Sequence, residues 1–348
     1  MPPMEFRDYL ELLTQHGLLT RIEREVDYML ELGRVTRETQ SPLLFERVKG
    51  YPDWRVFTNG LCNRSLVGIA LGLPPGATRS DVARVLRDRV TSGIKPRVVA
   101  EGPVMENVQS TGIDLTKLPI PQWHPSDGGR YLGTWHINIS QDPENGLRNV
   151  GVYRMELLNK RQATVSTSAN SDLGIHVAKA EKAGRPLPMA VAIGVSETTM
   201  MAAGAGVAGR DEFELAGALQ AEPLCLVHGK TIDLDVPASA ELVIEGVIKN
   251  HERVLDGPYF DYAGKVNTNP NAFLFEATGL MYRNNPIFRG SSIGHAGAED
   301  HQLFAALADV GLIDFHGSTL KRRMQSVLLR QRQFKGFQFV GKLGNPFR

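Results

Sequence analysis

The sequence predicts a mixed α/β protein of the α+β type with two or three domains, and three observations predict it. Short strand-like runs recur from residue 43 to residue 288, helix-period runs interrupt them, and breaker-rich stretches divide the chain with no internal repeat. A length of 348 residues fits two or three units at roughly 100–200 residues each.

Phe6, Tyr9, Leu10 and Leu13 are spaced for one helical face. Leu43-Leu44-Phe45 and Arg55-Val56-Phe57 read as short strands around a Gly-Tyr-Pro turn, and residues 79–89 read as a helix. Breakers between 111 and 130, including Leu118-Pro119-Ile120-Pro121 and Pro125-Ser126-Asp127-Gly128-Gly129, place a boundary there. Residues 134–140 and 150–158 form an expected hairpin around Asp142-Pro143-Glu144-Asn145-Gly146. Helices are expected over 172–183, with Asp172 as N-cap, and over 211–219. Further strands are expected over 189–195, 224–227, 241–248 and 272–282, and Asn284-Asn285-Pro286 turns the chain into Ile287-Phe288. Residues 321–348 carry eight Lys or Arg and no acid, and read as a packing or oligomerisation helix with a basic face.

Composition excludes several classes. Hydrophobic residues make up 42% of the chain, enough for a sizeable core. A net charge of +1 gives no global field for nucleic acid or a membrane surface. Two cysteines, Cys62 and Cys225, make no disulfide framework, which fits a cytoplasmic protein. No signal peptide and no apolar run of ~18 residues is present.

Three places carry chemistry. Asn149-Val150-Gly151-Val152-Tyr153-Arg154 offers an amide oxygen and a guanidinium fork suited to a carboxylate or phosphate. Their offset of five puts Asn149 and Arg154 on opposite faces of a regular strand, unless Gly151 kinks it. Asp256-Gly257-Pro258-Tyr259-Phe260-Asp261 sets two carboxylates around a Gly-Pro turn, and an Arg nearby would split their pKa values into acid and base. Glu212 opens a helix after a Gly-rich run at 203–209, whose amides could approach an anion. For each, the plainer reading is a surface ion pair, an ordinary turn or a helix-end charge. His124, His136, His176, His295 and His301 lack metal-ligand spacing, and no nucleotide, nucleophile-elbow or zinc-protease fingerprint occurs.

Taken together, these segments resemble the UbiD family of reversible decarboxylases. The resemblance runs in order through the middle two-thirds of the chain. It includes Arg148-Asn149-Val150-Gly151-Val152-Tyr153-Arg154-Met155, residues 188–194, Glu212, Val236-Pro237-Ala238-Ser239-Ala240-Glu241, Asp256-Gly257-Pro258 and Tyr282-Arg283-Asn284-Asn285. It implies a central split β-barrel of the flavin-reductase type at 116–298. An N-terminal α/β region at 1–115 and a shortened C-terminal segment at 299–348 would flank it. It further implies prenylated FMN and a divalent metal, manganese or magnesium, with potassium as a further ion. Carried over by position, Asn149, Glu212 and Asn170 are the metal ligands, and Thr134, Val152, Tyr153, Arg154, Ser168 and Ala169 contact the cofactor. Asp256, Arg154 and Asp261 form the acid–Arg–acid triad, with Asp261 returning the proton that replaces carbon dioxide. The partners implied are an aromatic or acrylic acid, a flavin prenyltransferase that supplies the cofactor, and further copies of the chain.

The sequence departs from the family pattern at four places. Aspartate stands at the first acid, where glutamate is usual, Asn170 falls where a ligand histidine is usual, Phe260 replaces a small glycine, and the C-terminus is short and basic. Shortening an acid by one methylene moves its carboxylate by about 1 Å, a shift that costs on the order of 100-fold in rate. The alternatives are a carboxylase subunit of a larger complex, a non-catalytic partner subunit, and a flavin reductase, which the absence of a dinucleotide fingerprint disfavours.

Overall fold

In the N-terminal part, helical periodicity and capping chemistry agree. Helix α1 (Phe6–Gln15) starts at a capping box of Glu5 and Asp8 and buries Phe6, Tyr9, Leu10 and Leu13. Then follow β1 (Thr20–Val26), α2 (Glu31–Glu38), β2 (Leu43–Val48), β3 (Arg55–Thr58), α3 (Arg64–Ala70) and α4 (Arg79–Arg89), the last capped by Thr78 and Asp81. Strand β2 runs parallel to β1 and antiparallel to β3, as the Gly-Tyr-Pro turn requires. The structure is a computed structural model that describes residues 4–205, 210–295 and 297–312.

Two short strands, β4 (Arg97–Val98) and β5 (Asn107–Gln109), lead into the central region. There the chain forms β6 (Tyr131–Gly133), β7 (His136–Gln141), β8 (Arg148–Gly151), β9 (Met155–Glu156), β10 (Gln162–Val165), α5 (Asp172–Lys182), β11 (Leu187–Ile193), α6 (Glu197–Ala203) and α7 (Glu212–Gln220). It continues through β12 (Cys225–His228), β13 (Asp235–Pro237), β14 (Leu242–Phe260), β15 (Val266–Tyr282), β16 (Ile287–Arg289) and α8 (Glu299–Ala308). The large sheet has the order β10-β15-β14-β11-β7-β8, with β5 also paired to β15. At the β8 edge the chain leaves the sheet, and by Leu157 it bridges Ala163 of β10 at the far edge. Joining the two edges through so short a segment requires the sheet to curl. Strand β16 returns to pair with β3, completing the N-terminal sheet in the order β1-β2-β3-β16. Among the described residues no helix is long and apolar enough to cross a membrane.

Several expectations are corrected. The strand expected over 150–158 breaks at residues 152–154, where the backbone leaves the ladder after Gly151. Ser171, rather than Asp172, caps α5, its hydroxyl accepting from the Gly174 amide. The Gly-Pro pair at 257–258 lies inside β14, and the reversal comes after Asp261. Helix α6 was not expected, because its Glu-Thr-Thr-Met-Met-Ala-Ala run lacks a polar face and is buried nearly throughout. The basic segment at 321–348 and most of the Gly-rich run, residues 206–209, lie outside the described residues.

Candidate active site

The break after Gly151 decides the site. A Cβ at Gly151 would lie 2.7 Å from the Tyr153 hydroxyl, so glycine here leaves room for the Tyr153 ring to fold back against the strand. The alternation that would separate Asn149 from Arg154 stops here, and both side chains line one cavity of about 640 Å³. Thr134, Glu212, Asp261 and Asp300 line it too. The volume lies within the usual ~300–1,000 Å³ of small-molecule sites.

Arg154 is tethered from below. Its Nε donates to Asp256 Oδ1 at 2.6 Å, and its Nη2 lies 2.5 Å from the same oxygen. Asp256 is fully buried, and its Oδ2 accepts from Thr164 Oγ1 at 2.6 Å. The guanidinium stands over the Tyr259 ring, 5.0 Å from its centroid. A buried carboxylate held by the Thr164 hydroxyl on one oxygen and facing the Arg fork with the other fixes the cation's orientation.

Asp261 reaches the cavity wall but does not bond to Arg154. Its Oδ1 accepts from the amides of Ala263 and Lys265, at 2.9 and 3.2 Å, and its Oδ2 accepts from Asn267. The second buried acid beside the Arg154–Asp256 pair is Glu156, which the sequence reading missed. Its Oε2 accepts from the Gly257 amide at 2.8 Å and the Tyr131 hydroxyl at 3.1 Å. Burial raises its pKa, the Gly257 amide pulls it back, and the Asp256 charge raises it again. The signal was present in Arg154-Met155-Glu156, since residues two apart share a face of a strand.

A set of oxygens gathers at the other end of β8. The Asn149 Oδ1 accepts from the Tyr153 hydroxyl at 3.4 Å, and Glu212 Oε2 accepts from the Val150 amide at 3.0 Å. Burial pushes Glu212 up to about 7, and the charges of Asp211 and Asp172 add to the shift. Asp172 borders the same cavity, and a second cavity of about 280 Å³ also touches Asn149, Asp172 and Glu212. Among the described residues no three His, Cys, Asp or Glu side chains are arranged to hold a metal. The amide oxygen of Asn149 with two carboxylates is nevertheless a hard-oxygen set suited to a divalent cation.

The remaining carried-over residues divide. Thr134 is buried, accepts from the Ser291 amide at 3.0 Å and lines the cavity with Val152 and Tyr153. Ser168, Ala169 and Asn170 are exposed and do not line it, and Ser166 takes that stretch of wall. The expected ligand role of Asn170 thus meets no supporting geometry, because the turn that delivers Ser171 as the α5 cap points the preceding residues outward.

Comparison with known proteins identifies the family to which this chain belongs. Residues 97–296 match the model of the 3-octaprenyl-4-hydroxybenzoate carboxy-lyase Rift-related domain, and residues 10–86 match that of the corresponding N-terminal domain. The chain is 31% identical over 327 residues to the pyrrole-2-carboxylic acid decarboxylase of Pseudomonas aeruginosa, which covers 89% of this chain and 66% of that protein. It is 30% identical over 304 residues to the phenolic acid decarboxylase of Escherichia coli O157:H7, covering 83% and 64%. The chain therefore spans about two thirds of the length of these relatives. Among solved structures it resembles an evolved dimeric form of the UbiD-class enzyme HmfF from Pelotomaculum thermopropionicum in complex with prFMN. That likeness has a TM-score of 0.81 and 29% identity, and covers 94% of this chain and 83% of that one. The vanillic acid decarboxylase of Sedimentibacter hydroxybenzoicus gives a TM-score of 0.83 at 29% identity, covering 86% and 66%. With the larger family model alone spanning more than half of its residues, this chain belongs to the UbiD family.

Proposed function

We propose that this chain is a carboxy-lyase that removes carbon dioxide from an aromatic or α,β-unsaturated carboxylic acid, using prenylated FMN and a divalent metal. The observation that carries the reading is the Arg154 guanidinium, pinned to buried Asp256 on the wall of a cavity that also borders Asn149 and Glu212. The names of the relatives, which act on pyrrole-2-carboxylic, phenolic and vanillic acids, favour an aromatic acid.

The residues fit such a cofactor and ion. Glu212 sits buried near Asp172, while Asp211 is already paired with Arg148 at 2.6 Å, and a cation would relieve the remaining negative charge, so Asn149 and Glu212 would hold manganese or magnesium, with Asp172 beside them. Potassium would be a further ion. Thr134, Val152 and Tyr153 would contact the flavin. Prenylated FMN, when bound, supplies the electron sink that loss of carbon dioxide from an sp² carbon needs.

The protein's own part is positional and protonic. Arg154 binds the substrate carboxylate, and Asp256 holds the fork so that the scissile bond faces the cofactor. Tyr259 and the apolar wall keep water from the carbon that loses its carboxyl group. When carbon dioxide leaves, Asp261, having first taken up a proton from solvent, delivers it to that carbon. This needs the Asp261 carboxyl to give up at least one of its bonds to its own turn. The reading also takes the curled sheet as a flavin-reductase-type split barrel over 116–298, between an N-terminal α/β region and a short C-terminal segment, in a cytoplasmic homo-oligomer.

The test is co-expression with a flavin prenyltransferase, followed by carbon dioxide release over a panel of aromatic and acrylic acids. Arg154→Ala should lower kcat/KM by more than about 100-fold while the cofactor's absorbance is retained. An alanine variant that turns over at the parental rate would remove the reading.

A further inference from the structure

Binding and proton transfer leave Glu156 without a task, although it stands two residues from Arg154 and is 8% exposed. Its side chain reaches the segment of β14 on which Arg154 rests. That segment, residues 256–259, supplies both supports of the guanidinium, the Asp256 carboxylate and the Tyr259 ring.

The ladder does not fix this segment by itself. Asp256 pairs with Asn269 and Tyr259 with Asn267, so Gly257 and Pro258 together face Thr268 across a bulge. Pro258 has no amide hydrogen to give, which leaves the Gly257 amide as the donor of the bulge. Glu156 Oε2 accepts from that amide at 2.8 Å. The same oxygen accepts from the Tyr131 hydroxyl at 3.1 Å, and the Tyr131 ring packs against Tyr259 with centroids 4.3 Å apart. The Glu156 backbone reaches the carboxylate of Asp256 as well. Its amide donates to Thr164 Oγ1 at 2.9 Å, and that hydroxyl donates to Asp256 Oδ2 at 2.6 Å. A Cβ on Gly129 would lie 2.6 Å from Glu156 Oε1, so the loop before Tyr131 closes over the acid.

We propose that Glu156 is a positioning residue, which clasps the bulge of β14 through the Gly257 amide and thereby fixes Asp256 and Tyr259 against Arg154. A hydrogen bond to a carboxylate is about twice as strong as one between neutral groups, and its loss leaves a buried amide unpaired. Backbone motion at the bulge would carry Asp256 and Tyr259 together, and Arg154 with them. A displacement of the fork by about 1 Å is enough to cost on the order of 100-fold in rate. The inference rests on the decarboxylase reading for what Arg154 holds, whereas the clasp itself can be read on the guanidinium without any substrate.

The test is hydrogen exchange followed by NMR on the isotope-labelled full chain. In the unaltered chain the Gly257 amide should exchange as slowly as the amides of the surrounding ladder, and the Arg154 Nε–H, bonded to Asp256, should be protected too. Glu156→Leu should speed exchange at the Arg154 Nε–H by roughly ten- to a hundred-fold, the span expected when one hydrogen bond to a charged acceptor is lost. The Arg289 Nε–H, bonded to buried Glu197 in a separate cluster, should stay as it was. Glu156→Gln keeps an acceptor for the Gly257 amide and should restore most of the protection. A general loss of stability would speed both guanidinium signals alike, so the pair separates positioning from structural support. Equal acceleration at Arg154 and Arg289, an Arg154 signal that the Leu variant leaves unchanged, or a Gln variant no better than Leu would each overturn the proposal. So would a Gly257 amide that exchanges as fast as an exposed one in the unaltered chain, a measurement that needs no variant to fold. Carbon dioxide release by the loaded, unaltered chain tests the decarboxylase reading separately. Absence of release with the expected exchange pattern removes that reading alone, and release with an indifferent Arg154 signal removes the role of Glu156 alone.

Discussion

At the scale of single residues, burial governs which side chains can take up a proton. His136 on β7 is fully buried, its Nε2 paired with the Tyr153 carbonyl at 3.0 Å and its Nδ1 without a partner. Burial lowers its pKa to about 4, against the bond to the Tyr153 carbonyl that would raise it. The unfolded chain takes up a proton on this ring as the pH falls through about 6.5, whereas the folded ring stays neutral until about 4. Proton uptake therefore favours the unfolded state across that window, and stability held above pH 6.5 is lost on the way down. His136→Gln keeps a donor for the Tyr153 carbonyl and removes the titration. Relative to that variant, the parent should lose about 2–3 kcal/mol between pH 7 and pH 4.5. Denaturant unfolding at the two pH values checks this, and an unchanged difference between the two proteins would refute it.

At the scale of elements, the long β14–β15 pair brings Asp256 to Arg154. Its register shifts between Glu245 and Gly246, and again on either side of Asp256. At the first shift a Cβ on Gly246 would lie 2.3 Å from the Glu276 carbonyl oxygen and 2.5 Å from the Phe275 ring, so backbone and core ring must move to admit one. Gly246→Ala should cost roughly 1–3 kcal/mol, the usual range for overpacking, read as a lower urea midpoint with the slope unchanged. A neutral effect would mean that the shift carries no constraint. The same pair marks how far the sequence can be read. Helices α1 and α4 were legible because their apolar period and caps act locally, and the β2–β3 hairpin because its turn does. The extension of β14 through Gly257-Pro258 was not, since breakers signal a turn in isolation and only pairing with β15 overrides them. The site divides in the same way. Arg154, Asp256, Asn149 and Glu212 were named from motifs, and the break after Gly151 that unites Asn149 with Arg154 was foreseen only as a condition. Glu156 was legible only as the acid two residues from Arg154, and its burial against Gly257 depends on chain segments far apart in sequence.

At the scale of the whole molecule, a buried charge cluster ties the N-terminal sheet to the cavity wall. Arg289, at the end of β16, bonds Glu299 through Nη1 at 2.9 Å and Nη2 at 2.5 Å, and Glu197 through Nε at 3.1 Å. Glu299 also accepts from the amides of Asn59 and Leu61, and Glu197 from Trp135, whose indole borders the cavity. The guanidinium packs between the rings of Phe57 and Trp135, 5.0 and 4.7 Å from their centroids. One cation faces two carboxylates here, and burial raises the Glu197 pKa against the pull of Arg289. Removing the cation would leave both acids buried without compensation, whereas removing all three charges leaves nothing to solvate. Arg289→Met should therefore cost about 3–5 kcal/mol, and adding Glu197→Gln and Glu299→Gln should recover a large part of that loss. Such a recovery identifies uncompensated charge as the penalty. If the triple variant is no more stable than Arg289→Met, the cost lies instead in the lost stacking on Phe57 and Trp135 and the lost amide partners of Glu299, and the cluster holds the cavity wall by shape more than by charge.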